Sequence, residues 1–386
     1  MSKKTVLIHS NFVRAFTGFG KNKKNIMRYL FDTGKYNLIE LANGIDWSDP
    51  ATESVPWTCR GSLPPQNQLQ AMNPDQQRAA SYGSILVDRA VKEFKPDVYI
   101  GIEDIWGFCD YHTKPWWNKI NTMIWTTLDS LPILPQAVDF APKLRNYYVW
   151  ASFAEKAMKE LGYDHVKTLR GSLDTSVFNR LNDDERQKLR QKNGLSDEFI
   201  IGFVFRNQLR KSVPNILDGF KIFLNEHPNS KLLLHTHWSE GWDIPRLIEE
   251  KNIDSSKILT TYVCNKCLNY EVRPFTGQEQ KCSNCGADKT VNTTNTGRGV
   301  TDEQLNEVYN LMDVYCHPFT SGGQEIPVQE AKLTELITLV TNYSCGEDSC
   351  TPESGGIPLE WNEYREPGTQ FVKASTCAKD IATKLS

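Results

Sequence analysis

At roughly 150 residues per domain, a chain of 386 residues predicts two to three domains, and 39% hydrophobic residues with 24 glycines exclude a disordered or fibrous chain. Forty-four Lys+Arg against 47 Asp+Glu leave a formal charge of −3, so no general basic field holds a polyanion by phosphate contacts alone, and only a local basic groove is left open. The most apolar stretches, residues 6–8 and 231–234, fall far short of the roughly 20 residues a bilayer span needs, and the start 1–9 has too few apolar residues for a signal-peptide core; a cytoplasmic protein with no transmembrane segment is expected.

In chain order, 5–9 reads as a short buried strand, followed by a glycine loop at Thr17, Gly18, Phe19 and Gly20 and a helical stretch at 25–31. Strand, loop and helix in that order open a mononucleotide-binding half. The pattern recurs as strand 36–41, helix 84–94 and strands 97–100, 122–125 and 146–150. Alternating strands and helices imply a parallel, doubly wound sheet. Residues 43–78, rich in Pro, Asn, Gln and Trp without periodicity, are expected to form a long loop. The aromatic run 106–117 offers either rings that stack on a sugar or base, or core packing.

A charged helix at 183–190 separates this half from a second alternating run, with the boundary near 175–195. The second run comprises strand 199–205, helix 213–225, strand 231–235, helix 245–251, strand 257–263, helix 301–311, strand 313–316, helix 327–336 and strand 337–340. Thr301 with Gln304 three residues later is a capping-box start. No repeat of solenoid period is visible.

Four of the ten cysteines interrupt the second run at metal-ligand spacing. Cys264-x-x-Cys267 and Cys282-x-x-Cys285, 14 residues apart, form two knuckles that suit one tetrahedral zinc ion. Gly286 supplies the backbone freedom the second turn wants. A fully thiolate-ligated ion leaves no open position for water, so its expected role is structural. Cys59, Cys109, Cys316, Cys345, Cys350 and Cys377 follow no pairing rule and are expected to be core or loop thiols.

Chemistry-bearing residues gather at predicted strand ends. Arg206 closes the strand 199–205 and Lys211 follows at the lip of the next helix. Two cations on the carboxyl edge of a parallel sheet suit a diphosphate. Gly322 and Gly323 stand ahead of a helix opening near Pro327, where exposed amides and the helix's positive end would cradle phosphate oxygens. Glu330 is a candidate acceptor for a ribose diol. In the first half Gly18 and Gly20 are candidates for a donor-binding loop. Asp129, and with less to recommend them Glu103 and Asp104, lie beyond strand ends on the same sheet edge.

Taken together these residues resemble the family-4 glycosyltransferases of the GT-B fold. The resemblance rests on the arginine, lysine and following helix at 202–220, on the 171–178 segment with Gly171, Asp174 and Phe178, and on the region 313–331 around the family's paired-glutamate motif. It implies an α/β chain of two Rossmann-like domains facing a cleft, an acceptor domain at 1–175 and a nucleotide-sugar donor domain at 176–386; the cysteine spacing, not the resemblance, places a zinc ribbon at 260–298 inside the second. The resemblance further implies a retaining enzyme that moves a hexose-type sugar from a nucleoside diphosphate to an acceptor hydroxyl without a catalytic metal. Arg206 and Lys211 would neutralise the diphosphate, and Glu330 would hold the ribose. Asp129 would face the sugar or acceptor.

Two departures stand out. The family's first glutamate falls on Gly322, for which Glu325 offers a substitute from another place in the loop. After Ala331, residues 332–336 lack the expected glycine. A non-catalytic nucleotide-sugar or nucleic-acid binder, and a GT-B epimerase or phosphorylase, are the competing readings. The acceptor, whether glycan, modified nucleic acid, small molecule or protein, is left open.

Overall fold

The computed structural model describes residues 3–108 and 110–386, arranged in two compact units, 1–173 and 174–386. Cys109, expected as a core or loop thiol, lies outside the described residues.

In the first unit, strands β1 (Lys4–Asn11), β2 (Tyr36–Asp46), β3 (Thr58–Leu63), β4 (Val98–Ile102), β5 (Asn121–Thr126), β6 (Tyr147–Val149) and β7 (Lys167–Thr168) form one sheet. Its order is β3-β2-β1-β4-β5-β6-β7, parallel throughout. Helices α1 (Gly18–Asp32), α2 (Gln66–Gln70), α3 (Pro74–Ser81), α4 (Val87–Phe94), α5 (Pro135–Phe140) and α6 (Ser152–Glu160) connect the strands. Val6, Leu7, Ile8, His9 and Ser10 are all buried, as a parallel strand covered on both faces requires.

The expected loop at 43–78 is corrected. It contains the edge strand β3 and the short helices α2 and the start of α3. Thr58–Leu63 carries neither a β-branched run nor clean alternation, so its strand character comes from pairing with β2. Gly61 is required there, because a Cβ would stand 1.9 Å from the Asp46 carbonyl oxygen. Helix α6 has no counterpart in the sequence reading. The aromatic run resolves toward core: Phe108, Tyr111 and Trp117 are buried with Tyr99, and the Phe108 and Tyr111 rings meet edge to face at 5.2 Å.

The second unit contains β8 (Phe199–Val204), β9 (Ser230–His235), β10 (Ile258–Cys264), β11 (Tyr270–Pro274), β12 (Val291–Thr293), β13 (Val314–His317), β14 (Ile337–Thr341) and β15 (Ile357–Leu359), plus a hairpin of β16 (Trp361–Arg365) and β17 (Val372–Thr376). Its helices are α7 (Asp183–Lys192), α8 (Val213–Leu224), α9 (Ile244–Glu250), α10 (Asp302–Asn310), α11 (Ile326–Leu333) and α12 (Ala378–Leu385). The sheet runs β11-β10-β9-β8-β13-β14-β15, with β12 also on β10. Only β11 and β12, the strands of the cysteine module, are antiparallel to β10. The core packs Phe203, Leu232 and Leu234 of the sheet beneath Ile216 and Phe220 of α8 and Ile381 of α12. Asp313, just ahead of β13, accepts from the Ile200 amide at 2.8 Å and from buried Arg190 at 3.1 Å, tying α7 to the sheet centre.

In both units the strand order reverses beside the first strand, between β1 and β4 and between β8 and β13. Open α/β sheets bind ligands in the crevice beyond the carboxyl ends of the strands at such a reversal. Gly61→Ala should destabilise the first unit by about 1–3 kcal/mol, because the clash is with backbone that has nowhere to move; chemical denaturation followed by tryptophan fluorescence measures it.

Candidate functional site

At the β8/β13 reversal the two loops meet over a buried carboxylate. Beyond β8, a short 3-10 turn at Leu209–Lys211 and a left-handed Ser212 (φ 48°) precede α8. That turn directs Lys211 inward, leaving it 3% exposed. Beyond β13, residues 318–325 lead to α11, with buried Glu325 at the cap position. Lys211 Nζ donates to Glu325 Oε2, and Arg210 Nη1 reaches Oε1 at 2.9 Å. His317 Nε2 lies 3.0 Å from Oε2, and its Nδ1 lies 2.8 Å from the Tyr315 hydroxyl. Arg210 Nη1 also reaches the Ser321 carbonyl at 3.3 Å, and Lys373 of β17 donates to Ser321 Oγ at 2.7 Å.

Burial alone would raise the Glu325 carboxyl; the charges of Lys211 and Arg210 and the His317 hydrogen bond outweigh it and hold the group well below the carboxylate range. Burial first, and the Arg210 charge second, push Lys211 down to about 8, with Glu325 pulling the other way. Burial lowers His317 to about 4, so its imidazole is neutral at pH 7. Neutral His317 donates from Nε2 to the ionised Glu325 and accepts from the Tyr315 hydroxyl at Nδ1. Two cations and one carboxylate leave one unit of positive charge at the reversal, the sign an anionic ligand needs.

The structure brings together Lys211, Glu325 and Gly322 of the sequence candidates. Arg206 stands apart from them, half exposed, with its Nη2 paired to Glu240 at 3.1 Å. Arg210 occupies the inward position, a residue the sequence reading passed over although it adjoins Lys211. The glycine amides are corrected: Gly322 and Gly323 are buried rather than open, and the Gly322 N–H donates to Ser344 Oγ at 3.0 Å. A Cβ on residue 322 would lie 2.6 Å from Glu325 Oε1 and 3.2 Å from Arg210 Nη1. The Glu325 carboxylate thus fills the space that a side chain at 322 would need. Glu330, fully buried on α11, accepts from the Tyr309 hydroxyl at 2.7 Å.

In the first unit, Gly18 and Gly20 form the first turn of α1 rather than a loop. Thr17 caps the helix by accepting from the Gly20 N–H at 3.0 Å. A Cβ at Gly20 would approach the Ala15 and Phe12 carbonyl oxygens to 2.6 and 2.8 Å, so only glycine lets that turn fold onto the preceding loop. Asp129 follows β5, and its buried Oδ1 has no hydrogen-bond partner among the described residues. Buried Glu103 accepts from Asn43 Nδ2 at 3.2 Å. Burial, aided by the Asp104 charge, raises it to about 8. Asp104 accepts from the Thr127 hydroxyl at 3.0 Å.

The four knuckle cysteines converge. Their sulfurs all lie within 4.8 Å of one another, with Cys264 and Cys285 at 3.8 Å and Cys267 and Cys282 at 3.7 Å. Four sulfurs on a tetrahedral zinc at about 2.3 Å stand about 3.8 Å apart, so the set fits the ion. Backbone N–H groups of Lys266 and Cys285 point at Cys264 and Cys282 sulfurs at 3.4 and 3.5 Å, which favours thiolates. Gly286, at φ 71°, makes the turn its glycine was expected to make. The five other described cysteines are unbridged, with Cys59, Cys316 and Cys345 buried.

No family model and no curated protein sequence matches the chain. Solved structures do match it, at low identity. A glycosyltransferase from Rickettsia africae ESF-5 is similar over 100% of this chain and 88% of its own, with 13% identity and a TM-score of 0.62. HepE from Anabaena, solved with UDP-glucose, gives 12% identity and a TM-score of 0.63 over 99% and 88% of the two chains. Sucrose-phosphate synthase from Thermosynechococcus elongatus gives 13% and 0.61 over 100% and 89%. The architecture held in common is the GT-B type, and the cysteine module is built into its second unit. Among the described residues no helix is long and apolar enough to cross a membrane.

Purified protein should carry one zinc per chain by elemental analysis, and Cys282→Ser should lose most of it. Gly322→Ala should displace the Glu325 carboxylate and cost about 1–3 kcal/mol in denaturant unfolding.

Proposed function

We propose that the protein transfers a sugar from a nucleoside diphosphate sugar to an acceptor hydroxyl, with retention of anomeric configuration. The observation that carries this reading is the cluster of buried Lys211 and Glu325 with the part-exposed Arg210 at the strand-order reversal of the second unit. The GT-B architecture supports it, and HepE binds UDP-glucose on that architecture. The second unit is the donor domain in this reading, and the first the acceptor domain.

Arg210 and Lys211 bind the diphosphate, with Arg206 free to swing from its exposed pair with Glu240 to join them. Glu330 accepts from the ribose diol, and Glu325 holds the two cations in place and faces the transferred sugar. In the first unit Asp129, whose buried Oδ1 has no partner among the described residues, receives a hydroxyl of the acceptor. The bond from the anomeric carbon to the diphosphate breaks as the acceptor oxygen bonds on the same face, and a donor phosphate oxygen takes the acceptor's proton. Negative charge grows on the leaving diphosphate, and cations fixed in advance in a buried site stabilise it most effectively. The four cysteines hold a structural zinc with no position left for substrate. Reduced thiols at that spacing suit a reducing compartment, and the cytoplasm is the compartment we propose.

Calorimetry and turnover with UDP-, GDP- and ADP-sugars test this. One donor should bind and be consumed. Heat without turnover would mark a non-catalytic binder, and product formed without acceptor or with free phosphate an epimerase or phosphorylase. Lys211→Met should lower transfer about 10²-fold or more and destabilise the fold by about 3–5 kcal/mol, because Glu325 stays buried without its main partner. Lys211→Met combined with Glu325→Gln should regain much of the stability but none of the activity; recovered transfer would refute the assignment. The ammonium of Lys211 is charged below about pH 8 and neutral above it, so kcat/KM for the donor should be flat near neutrality and fall as pH rises through 8.

A further inference from the structure

The cysteine module grows from β10 of the sheet, with Phe275 stacked on Trp238 at 4.3 Å, and beside its first knuckle it is hydrogen-bonded to one helix, α10. Gln304 and Glu307 lie one turn apart on α10 and so share a face. Gln304 Nε2 donates to the Leu268 carbonyl, immediately after the first knuckle, at 2.9 Å. The hydroxyl of Tyr270, at the start of β11, donates to the Glu307 carboxylate. Gln304 Oε1 also accepts from the Thr301 N–H at 3.0 Å, completing the capping box of α10. A single amide side chain therefore both starts the helix and holds the knuckle.

Two residues beyond Glu307, buried Tyr309 donates to Glu330 Oε2 at 2.7 Å. On the same helix, Asn306 and Asn310 accept from the Asn179 and Leu181 amides at 3.0 and 2.9 Å, so α10 is pinned along its length. Sheet pairing and Phe275 hold the base of the module, but its knuckle end has little apolar packing. Its apolar cluster contains four buried residues, Tyr262, Cys264, Cys282 and Val291, and two of those are cysteines of the metal set. A cluster that small adds little order at the knuckle end, where a bound metal would supply the staple.

We propose that metal occupancy of the four-cysteine centre sets the affinity of the nucleotide site, with α10 as the link from the Leu268 knuckle to Glu330. The inference rests on the reading of Glu330 as the ribose acceptor. The ion orders the knuckle, the knuckle fixes Gln304 and Glu307, and the helix they anchor holds the Tyr309 hydroxyl against Glu330. Tyr270, Gln304 and Tyr309 are positioning residues in this scheme. Linkage is reciprocal, so bound nucleotide tightens metal binding by the same factor as metal tightens nucleotide.

The test uses the full-length zinc-loaded protein, titrated by calorimetry with UDP, GDP and ADP. Tyr270→Phe/Gln304→Glu removes both donors to or from the module, while a glutamate at 304 can still accept from the Thr301 amide and keep the helix start. This variant should retain one zinc per chain yet bind the preferred nucleotide at least about 5-fold more weakly, the lower end of usual couplings. Removing zinc from the unaltered protein with a chelator should weaken binding at least as much, and should speed amide hydrogen exchange across α10 while leaving α8 unchanged. If the variant holds zinc and binds nucleotide like the parent, the coupling is overturned. If no nucleotide binds the parent, the ribose reading fails and exchange decides alone: faster exchange in α10 on zinc removal supports the link, and unchanged exchange overturns it. Should the variant fail to fold, chelation of the unaltered chain decides instead: weaker nucleotide binding without zinc supports the coupling, and unchanged binding overturns it.

Discussion

A carboxylate taken out of water must be met by charge and hydrogen bonds, or it cannot stay ionised. Glu325 is such a group, and its partners come from both sides of the β8/β13 reversal: Lys211 and Arg210 from one loop, His317 from the end of β13. Satisfying it orients the turn after β8, fixes where α11 begins and leaves no room for a side chain at Gly322. Most of what is distinctive about this site follows from that demand.

The same demand explains how two cations can be kept ready for an anion without unfolding the loop that bears them. Unpaired, the buried Lys211 and the part-exposed Arg210 would repel each other; with Glu325 between them they are held at close range and still carry a net positive charge. In the proposed reading a diphosphate at the crevice would meet donors already oriented, which is where an enzyme gains most from electrostatics. The neutral imidazole of His317 completes the set by donating a hydrogen bond without adding a charge.

Much of the architecture could be read from local signals. Strands such as 199–205 and 231–235 announce themselves as short apolar runs, Thr301 and Gln304 form the capping box their spacing implies, and the cysteine knuckles converge as their repeats suggest. What the sequence did not disclose depends on contacts between distant segments. β3 is polar and interrupted by a glycine, so it is a strand only because β2 lies beside it. The choice of Arg210 over Arg206 turns on the left-handed Ser212 and on Glu325, more than 100 residues away. The Gly322 amide reads as open from sequence alone because Ser344, whose Oγ accepts a hydrogen bond from it, belongs to a loop beyond the last strand read. The hairpin β16–β17, which brings Lys373 to Ser321, lies in a stretch without periodic pattern.

The central claim is that Arg210 and Lys211 receive the diphosphate at the β8/β13 reversal. Crystals soaked with the donor that gives heat in solution test it most directly. The account predicts density for both phosphates within hydrogen-bond reach of the Arg210 guanidinium and the Lys211 ammonium, with the ribose beside Glu330. Phosphates bound elsewhere, with Glu325 still closing over both cations, would contradict it.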